Sequence, residues 1–241
     1  TKTIYEHLMT EWKTDQDDTP RQFAYRLKEA VEKTNQSIHG FAREHPEHRG
    51  MGTTTTAVGV LGDTAFITQV GDSRAYLVRN GAAIQITKDQ SLMQRLIDAG
   101  ELTEEEAERS ERRNIILQAL GPDSRVKVDL TYQGLRRGDH IVICSDGLSG
   151  QVRKNEMAAA VAASDDLVTV CSQLIELANA RGGPDNITVI VARVYGDGVP
   201  DAANEDLVGH QVYPLTDTES TTQPVPVYRG SNPPTPKGTP R

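Results

Sequence analysis

Three aspartates in this chain each sit where an apolar run meets a turn. They are Asp72 in "VGDSRAYLVRNG" (70–81), Asp146 in "ICSDGLSG" (143–150) and Asp185 in "GGPDNITVIVARV" (182–194). Asp146 follows the apolar run 140–145, and Asp185 precedes the apolar run 186–194. If those two runs are antiparallel strands, both carboxylates emerge at the same edge of a sheet. Carboxylates gathered at one edge repel each other unless a cation lies among them. With no His or Cys beside them, the donors favour hard, oxygen-loving ions such as Mg²⁺ or Mn²⁺. Taken singly, Gly-Asp-Ser, Asp-Gly and Pro-Asp-Asn are also ordinary turn sequences. Order and spacing have to decide between the two readings.

Other chemistries find less support. A cysteine phosphatase built on Cys144 would need an arginine cradle a few residues on, where Gly150 stands. Ser73 and Ser149 lack a G-x-S-x-G frame. The six histidines (His7, His39, His45, His48, His140, His210) form no H-E-x-x-H pair, which argues against a zinc hydrolase. Arg74 is expected to pair with a carboxylate or a carbonyl and, with Ser73, to hold the turn that carries Asp72.

A net charge of −8 argues against a nucleic-acid partner, since such binding rests largely on Lys and Arg meeting phosphates. No apolar run approaches the ~20 residues that cross a bilayer, and the chain opens on Thr1 without a signal peptide, which suggests a processed or cut start. The expected location is cytoplasmic and the expected state a monomer. Cys144 and Cys171 fall within an apolar strand and on an apolar helix face, and are expected to be free thiols.

The elements that must position the aspartates are legible in outline. Thr19-Pro20 is a helix start, and Phe23, Leu27, Ala30, Val31, Ile38 and Phe41 recur at helical spacing over 20–44. Residues 2–13 look like the end of an earlier helix. Turns at Gly62-Asp63 and Asn80-Gly81 join strands near 53–60, 64–70, 74–79 and 82–86 into an antiparallel meander. A charged helical excursion follows over 88–113, with a Thr103/Glu106 capping box. Strands at 126–132 and 140–145 flank a turn at Arg137-Gly138-Asp139; helices at 154–163 and 166–180 then lead to a buried strand at 186–194. Strand runs set apart from helix pairs predict an α+β fold with antiparallel sheets. Residues 196–241, with eight prolines and almost no apolar periodicity, read as a disordered tail or linker.

In order and spacing, "GTTTTAVGV", "VGDSRAYLVRNG", "ICSDGLSG" and "GGPDNITVIVARV" closely resemble the bacterial branch of the PPM, or type 2C, metal-dependent Ser/Thr protein phosphatases. The charged excursion resembles that branch's flap, about 88–113. The resemblance covers about residues 1–195 and implies a four-layer α-β-β-α sandwich. It implies a site for two Mg²⁺ or Mn²⁺ ions, where a metal-bridging water attacks a phosphoserine or phosphothreonine. Asp146 and Asp185 match aspartates of the metal pair. Asp72 matches the aspartate that, with Asp146, holds a third, weaker ion. Gly147 and Asn186 fall beside those ligands in supporting positions, as do Ser73 and Arg74. The implied partners are phosphorylated proteins, Ser/Thr kinases and their targets among them.

Two departures accompany the match. The family's Asp-Gly-x-Gly-Gly turn and its phosphate-binding arginine have no counterpart here, so the domain is expected to be N-terminally incomplete and residues 1–241 alone nearly inactive. A flap His-Pro is replaced by Ser110-Glu111 before Arg112-Arg113-Asn114. The alternative function is a non-catalytic relative that binds a signalling partner through the same sandwich.

Overall fold

The computed structural model describes residues 2, 4–6, 19–203 and 206–215. Residues 2 and 4–6 are helical; the rest of the expected 2–13 helix lies outside the described residues. Helix α1 spans Pro20–Glu44: the Thr19 hydroxyl accepts from the Gln22 N–H, Pro20 occupies the first turn, and Pro46 follows the last. Its buried stripe (Phe23, Leu27, Ala30, Val31) is the face that the spacing picks out.

Seven strands follow: β1 (Thr55–Leu61), β2 (Thr64–Val70), β3 (Arg74–Arg79), β4 (Ala82–Gln85), β5 (Asp129–Gly134), β6 (His140–Cys144) and β7 (Val189–Arg193). They form two antiparallel sheets, ordered β1-β2-β5 and β4-β3-β6-β7. The β3–β4 hairpin turns on Asn80 (φ 51°) and Gly81 (φ 76°), the paired positive dihedrals that suit a two-residue turn to strand twist.

Alternation along the strands sets the layers. Ala65 and Ile67 of β2 meet Ala75 and Leu77 of β3 and Ile141 of β6 between the sheets. Phe66 and Leu130 face outward against Phe23, Ala24 and Leu27 of α1. On the other side, Tyr76, Val78, Val142 and Cys144 face Met157 and Val161 of α5 (Lys154–Ala163) and Val170, Leu174 and Ala178 of α6 (Leu167–Ala180). The result is the expected α-β-β-α sandwich. Gly59 has a packing reason: a Cβ there would fall 2.7 Å from the Phe23 ring.

Within the flap, α2 (Leu92–Asp98) and α3 (Glu104–Arg109) form, and the capping box closes as expected: the Glu106 carboxylate accepts from the Thr103 N–H at 2.8 Å. Both cysteines are free; burial pushes the Cys144 thiol up to about 12, which leaves it inert as a nucleophile.

Three expectations need correction. Strand β5 begins at Asp129, not 126. Strand β7 is shorter than 186–194 and is an edge strand rather than a buried one, with Ile190 57% exposed. Just before it, the Ser145 N–H donates to the Thr188 carbonyl, while the Ser145 hydroxyl bonds the Thr188 N–H and the Asn186 carbonyl. The packed unit also continues past 195. The Gln211 carbonyl accepts from the Tyr132 N–H, the Tyr213 N–H donates to the Leu130 carbonyl, and Val199, Val208, Tyr213 and Leu215 pack on the core. Residues 216–241, the rest of the expected tail, lie outside the described residues.

Candidate functional site

The pairing register delivers the three aspartates to one edge. Arg74 pairs with Cys144, and Cys144 with Val189, so Asp72 before β3, Asp146 after β6 and Asp185 before β7 all leave the sheet at the same end. Backbone contact draws the last two together. Gly147 lies so close to the Asp185-Asn186 peptide that an added Cβ would land on the Asn186 carbonyl oxygen and 3.3 Å from that of Asp185. Ser145 fixes the approach: its hydroxyl donates to the Asn186 carbonyl (3.0 Å) and accepts from the Thr188 N–H (3.0 Å). Asp146 then opens the short helix α4 (Asp146–Ser149), its Oδ1 accepting from the Gly147 N–H at 2.9 Å. The Asn186 N–H donates to Asp185 Oδ1 at 2.7 Å, so Asn186 steadies that carboxylate through its backbone.

The Asp72 turn is held from three sides. Gly71 adopts φ 105°, a conformation open to glycine, and packs against the Thr54 side chain where a Cβ would not fit. Its N–H donates to Gln90 Oε1 (2.9 Å) and its carbonyl accepts from Gln69 Nε2 (3.1 Å). The Ser73 hydroxyl lies 2.8 Å from that of Thr54, and the Ser73 carbonyl accepts from Thr56 Oγ1 (2.9 Å).

Arg74 finds the carboxylate expected of it. Its Nε and Nη2 reach both oxygens of Asp89 at 2.7–3.0 Å, a two-pronged pair, and Gln85 Nε2 donates to the same carboxylate. Asp89 is the residue that sequence reasoning missed. It lies fifteen positions beyond Arg74 and shows no motif of its own; only the β3–β4 hairpin folds it back. Gln69 and Gln90 were equally silent.

The electrostatics of this edge are one-sided. Burial, then the charges of Asp146 and Asp89, raise the Asp72 carboxyl to about 6, against the pull of its own backbone N–H and of Arg74. Arg74 is already committed to Asp89, so negative charge is left in excess. Among the described residues, no group of three or more His, Cys, Asp or Glu side chains is arranged to hold a metal ion.

The profile of the family described as Protein phosphatase 2C matches residues 3–96. The protein phosphatase PhpP of Streptococcus pneumoniae is 35% identical over 178 residues, covering 74% of this chain and 72% of that protein. The chain belongs to the protein phosphatase 2C family. The serine/threonine protein phosphatase PstP of Mycobacterium tuberculosis is 38% identical over 190 residues, which cover 77% of this chain and 37% of PstP. The chain thus matches well under half the length of that relative. Among solved structures, the catalytic domain of PstP in complex with 2 manganese ions superposes with a TM-score of 0.68 at 35% identity, covering 80% of this chain and 79% of that one.

The residues present fit a hard divalent ion in donor chemistry. Asp72, Asp146 and Asp185 supply oxygen alone, and none of the three has an ion-pair partner among the described residues. Cys144, the thiol nearest to these residues in sequence, is buried and pushed up to about 12, so it stays protonated and does not turn this donor set toward a softer metal.

Proposed function

We propose that this chain is the metal-dependent catalytic region of a protein serine/threonine phosphatase. The observation that carries the reading is the delivery of Asp72, Asp146 and Asp185 to one sheet edge, with negative charge in excess, in a chain of this family. Asp146 and Asp185 would hold a pair of Mg²⁺ or Mn²⁺ ions, and Asp72 with Asp146 a third, weaker one. When bound, such ions supply Lewis acidity toward phosphoryl oxygens and lower the pKa of water, which makes a side-chain nucleophile unnecessary.

The chain's own residues do the holding. The Arg74–Asp89 pair and the Gln69 and Gln90 amides fix the Asp72 turn, so its carboxylate meets a ligand without reorganising. Gly147 permits the close approach that sets Asp146 beside Asp185. The inert Cys144 thiol keeps a competing nucleophile out. The substrates in this reading are phosphoserine and phosphothreonine side chains of proteins, including Ser/Thr kinases and their targets. The enzyme acts as a monomer inside the cell, with its phosphatase domain reaching to about residue 215.

The test is Mn²⁺ binding followed by electron paramagnetic resonance, alongside phosphate release from a phosphothreonine peptide in the intact protein. Mn²⁺ should bind and support release, and Asp146→Ala should weaken binding at least tenfold. Binding unchanged in Asp146→Ala would overturn the ligand assignment. The second reading, a non-catalytic module that binds a partner, is favoured by the lack of a three-group cluster among the described residues. It would prevail if the intact protein bound no Mn²⁺ and released no phosphate.

A further inference from the structure

At the C-terminal end of α1 the chain reverses its electrostatic character. A cavity of about 190 Å³ opens there, lined by His39, Arg43, Arg49, Gly50, Gly121 and Pro122 among others. The protein as a whole carries −8, yet three potentially cationic side chains line this one hollow. Neither Glu44 nor Glu47 lines it, although both lie on the same stretch of chain. Neither guanidinium has an ion-pair partner among the described residues. The volume equals several waters at ~30 Å³ each, enough for a tetrahedral oxyanion.

The wall of the cavity is built rather than incidental. Asn35, 1% exposed, accepts from the Gly121 N–H (2.8 Å) and donates to the Asp123 carbonyl (3.0 Å). His39 Nδ1 lies 2.9 Å from the Gly121 carbonyl. A carbonyl only accepts, so Nδ1 carries a proton, and Nε2 donates to an anion when it is protonated as well. Thr53 and Leu120 exchange two backbone hydrogen bonds (3.1 and 2.8 Å), which locks the same wall to the run that leads to β1.

That run also ties the cavity to the aspartate edge. Thr54 touches Gly71 and Ser73, and Gly50 lies four residues before it. Four residues span at most ~14 Å when fully extended. Gly50 and Thr54 therefore lie no farther apart than the reach of about four extended residues of a substrate chain.

We propose that this cavity is an anion subsite, in which His39, Arg43 and Arg49 take a carboxylate or phosphate side chain borne by the protein substrate about four residues from the one being dephosphorylated. The proposal rests on the phosphatase reading for its substrate. Two exposed guanidinium contacts that close onto one anion predict about a five- to tenfold gain in affinity, which weakens as salt rises.

The experiment compares two peptides that carry the same non-hydrolysable phosphonate analogue of phosphothreonine. One has phosphoserine four residues away and the other alanine. Dissociation constants are measured by calorimetry on the full chain with Mn²⁺ present, in wild type and in Arg43→Gln/Arg49→Gln. Thermal melts check that the exposed replacements leave the fold intact. The doubly anionic peptide should bind five- to tenfold tighter to wild type, and the double variant should lose that preference while its affinity for the alanine peptide stays unchanged. Equal affinity of both peptides for wild type, or a preference that survives in the variant, would overturn the subsite. Inorganic phosphate is the third probe: if it shifts the His39 ring resonances while the peptides bind alike, the cavity takes free phosphate and the substrate assignment falls. A preference that depends on Arg43 and Arg49, in an intact protein that releases no phosphate from phosphothreonine peptides, would keep the subsite and refute the phosphatase reading.

Discussion

The two ends of strand β3 handle charge in opposite ways. At one end stands Arg79, 7% exposed, whose Nε and Nη2 donate to both oxygens of Asp139 at 2.8 and 2.6 Å. Its Nη2 also donates to the Gly134 carbonyl. Asp139 accepts from the Arg136 N–H as well, and Arg136 in turn grips Asp206 with two bonds of 2.7 and 2.8 Å. Every carboxylate there has a guanidinium. At the other end the Arg74 guanidinium binds Asp89 and the Tyr76 hydroxyl, the Asp146 charge raises the Asp72 carboxyl, and neither Asp72 nor Asp146 has an ion-pair partner among the described residues. Since burying an unpaired charge is costly, the paired end reads as structure closed on itself, and the unpaired end as a place left for something to bind.

Breaking the closed end should give the largest effect on stability. Arg79→Met leaves the Asp139 carboxylate buried with half its partners, and loss of one member of a buried pair costs about 3–5 kcal/mol. Urea denaturation should show a fall of that order. Replacing both residues, as Arg79→Met with Asp139→Leu, should recover part of it. If the single variant were as stable as wild type, the two ends would not differ in the way described.

Gly147→Ala tests the contact that sets Asp146 beside Asp185. The new methyl group would meet the Asn186 carbonyl, and overpacking of this kind costs about 1–3 kcal/mol. Part of the strain should appear as weaker Mn²⁺ binding, because the chain that must move carries Asp185. A variant with both properties unchanged would show that the close approach matters to neither.

Charge removal at the open end should sharpen the contrast. Asp146→Ala relieves repulsion with Asp72, so urea stability should hold within about 0.5 kcal/mol of wild type or rise. Mn²⁺ affinity should meanwhile drop at least tenfold, about 1.4 kcal/mol. Asp72→Ala should slow turnover in the intact protein while sparing the tighter ions. Equal loss of tight binding in both variants would abolish the distinction between them.

The smallest effect belongs to an exposed pair at neither end. Hydrogen bonds from the Arg181 guanidinium, then from the Arg153 N–H, hold the Glu156 carboxyl down to about 2, against an ordinary value of 4.5. A carboxyl depressed by folding contributes stability that is fully present above the unfolded value and is lost as pH falls through the folded one. Between about pH 4.5 and 2, wild type should therefore lose slightly more stability than Glu156→Gln, as read by thermal melts at stepped pH. Parallel curves would show that solvent screens the pair completely.

Much of the fold was legible because its signals are local. Thr19-Pro20, the Asn80-Gly81 turn and the Thr103/Glu106 box each act within a few residues, and each stands where the sequence puts it. The three aspartates were legible for a related reason: side chains at strand ends inherit the geometry of the strands, and antiparallel pairing of β6 and β7 delivers two of them together. The partners of those residues were not. Asp89 meets Arg74, and Asp206 meets Arg136, across 15 and 70 positions. An aspartate awaiting an arginine looks like any other solvated aspartate until the chain is folded. The packing of residues after 195 escapes the sequence for the same reason, since Val199, Val208 and Tyr213 show no period and gain their partial burial one by one from the sheet they meet.

Sequence by itself therefore determined the α+β class, the hairpins, the capped helices and the three carboxylates at strand ends, since each follows from short-range sterics, capping and alternation. Only the tertiary structure decided which charges are cancelled. Cancellation depends on desolvation and on distances of about 3 Å between residues far apart in the chain, and neither is encoded within any local window. The guanidinium network at one end of β3, the carboxylates without ion-pair partners among the described residues at the other, and the two arginines in the hollow beside α1 that likewise have none all come from that level.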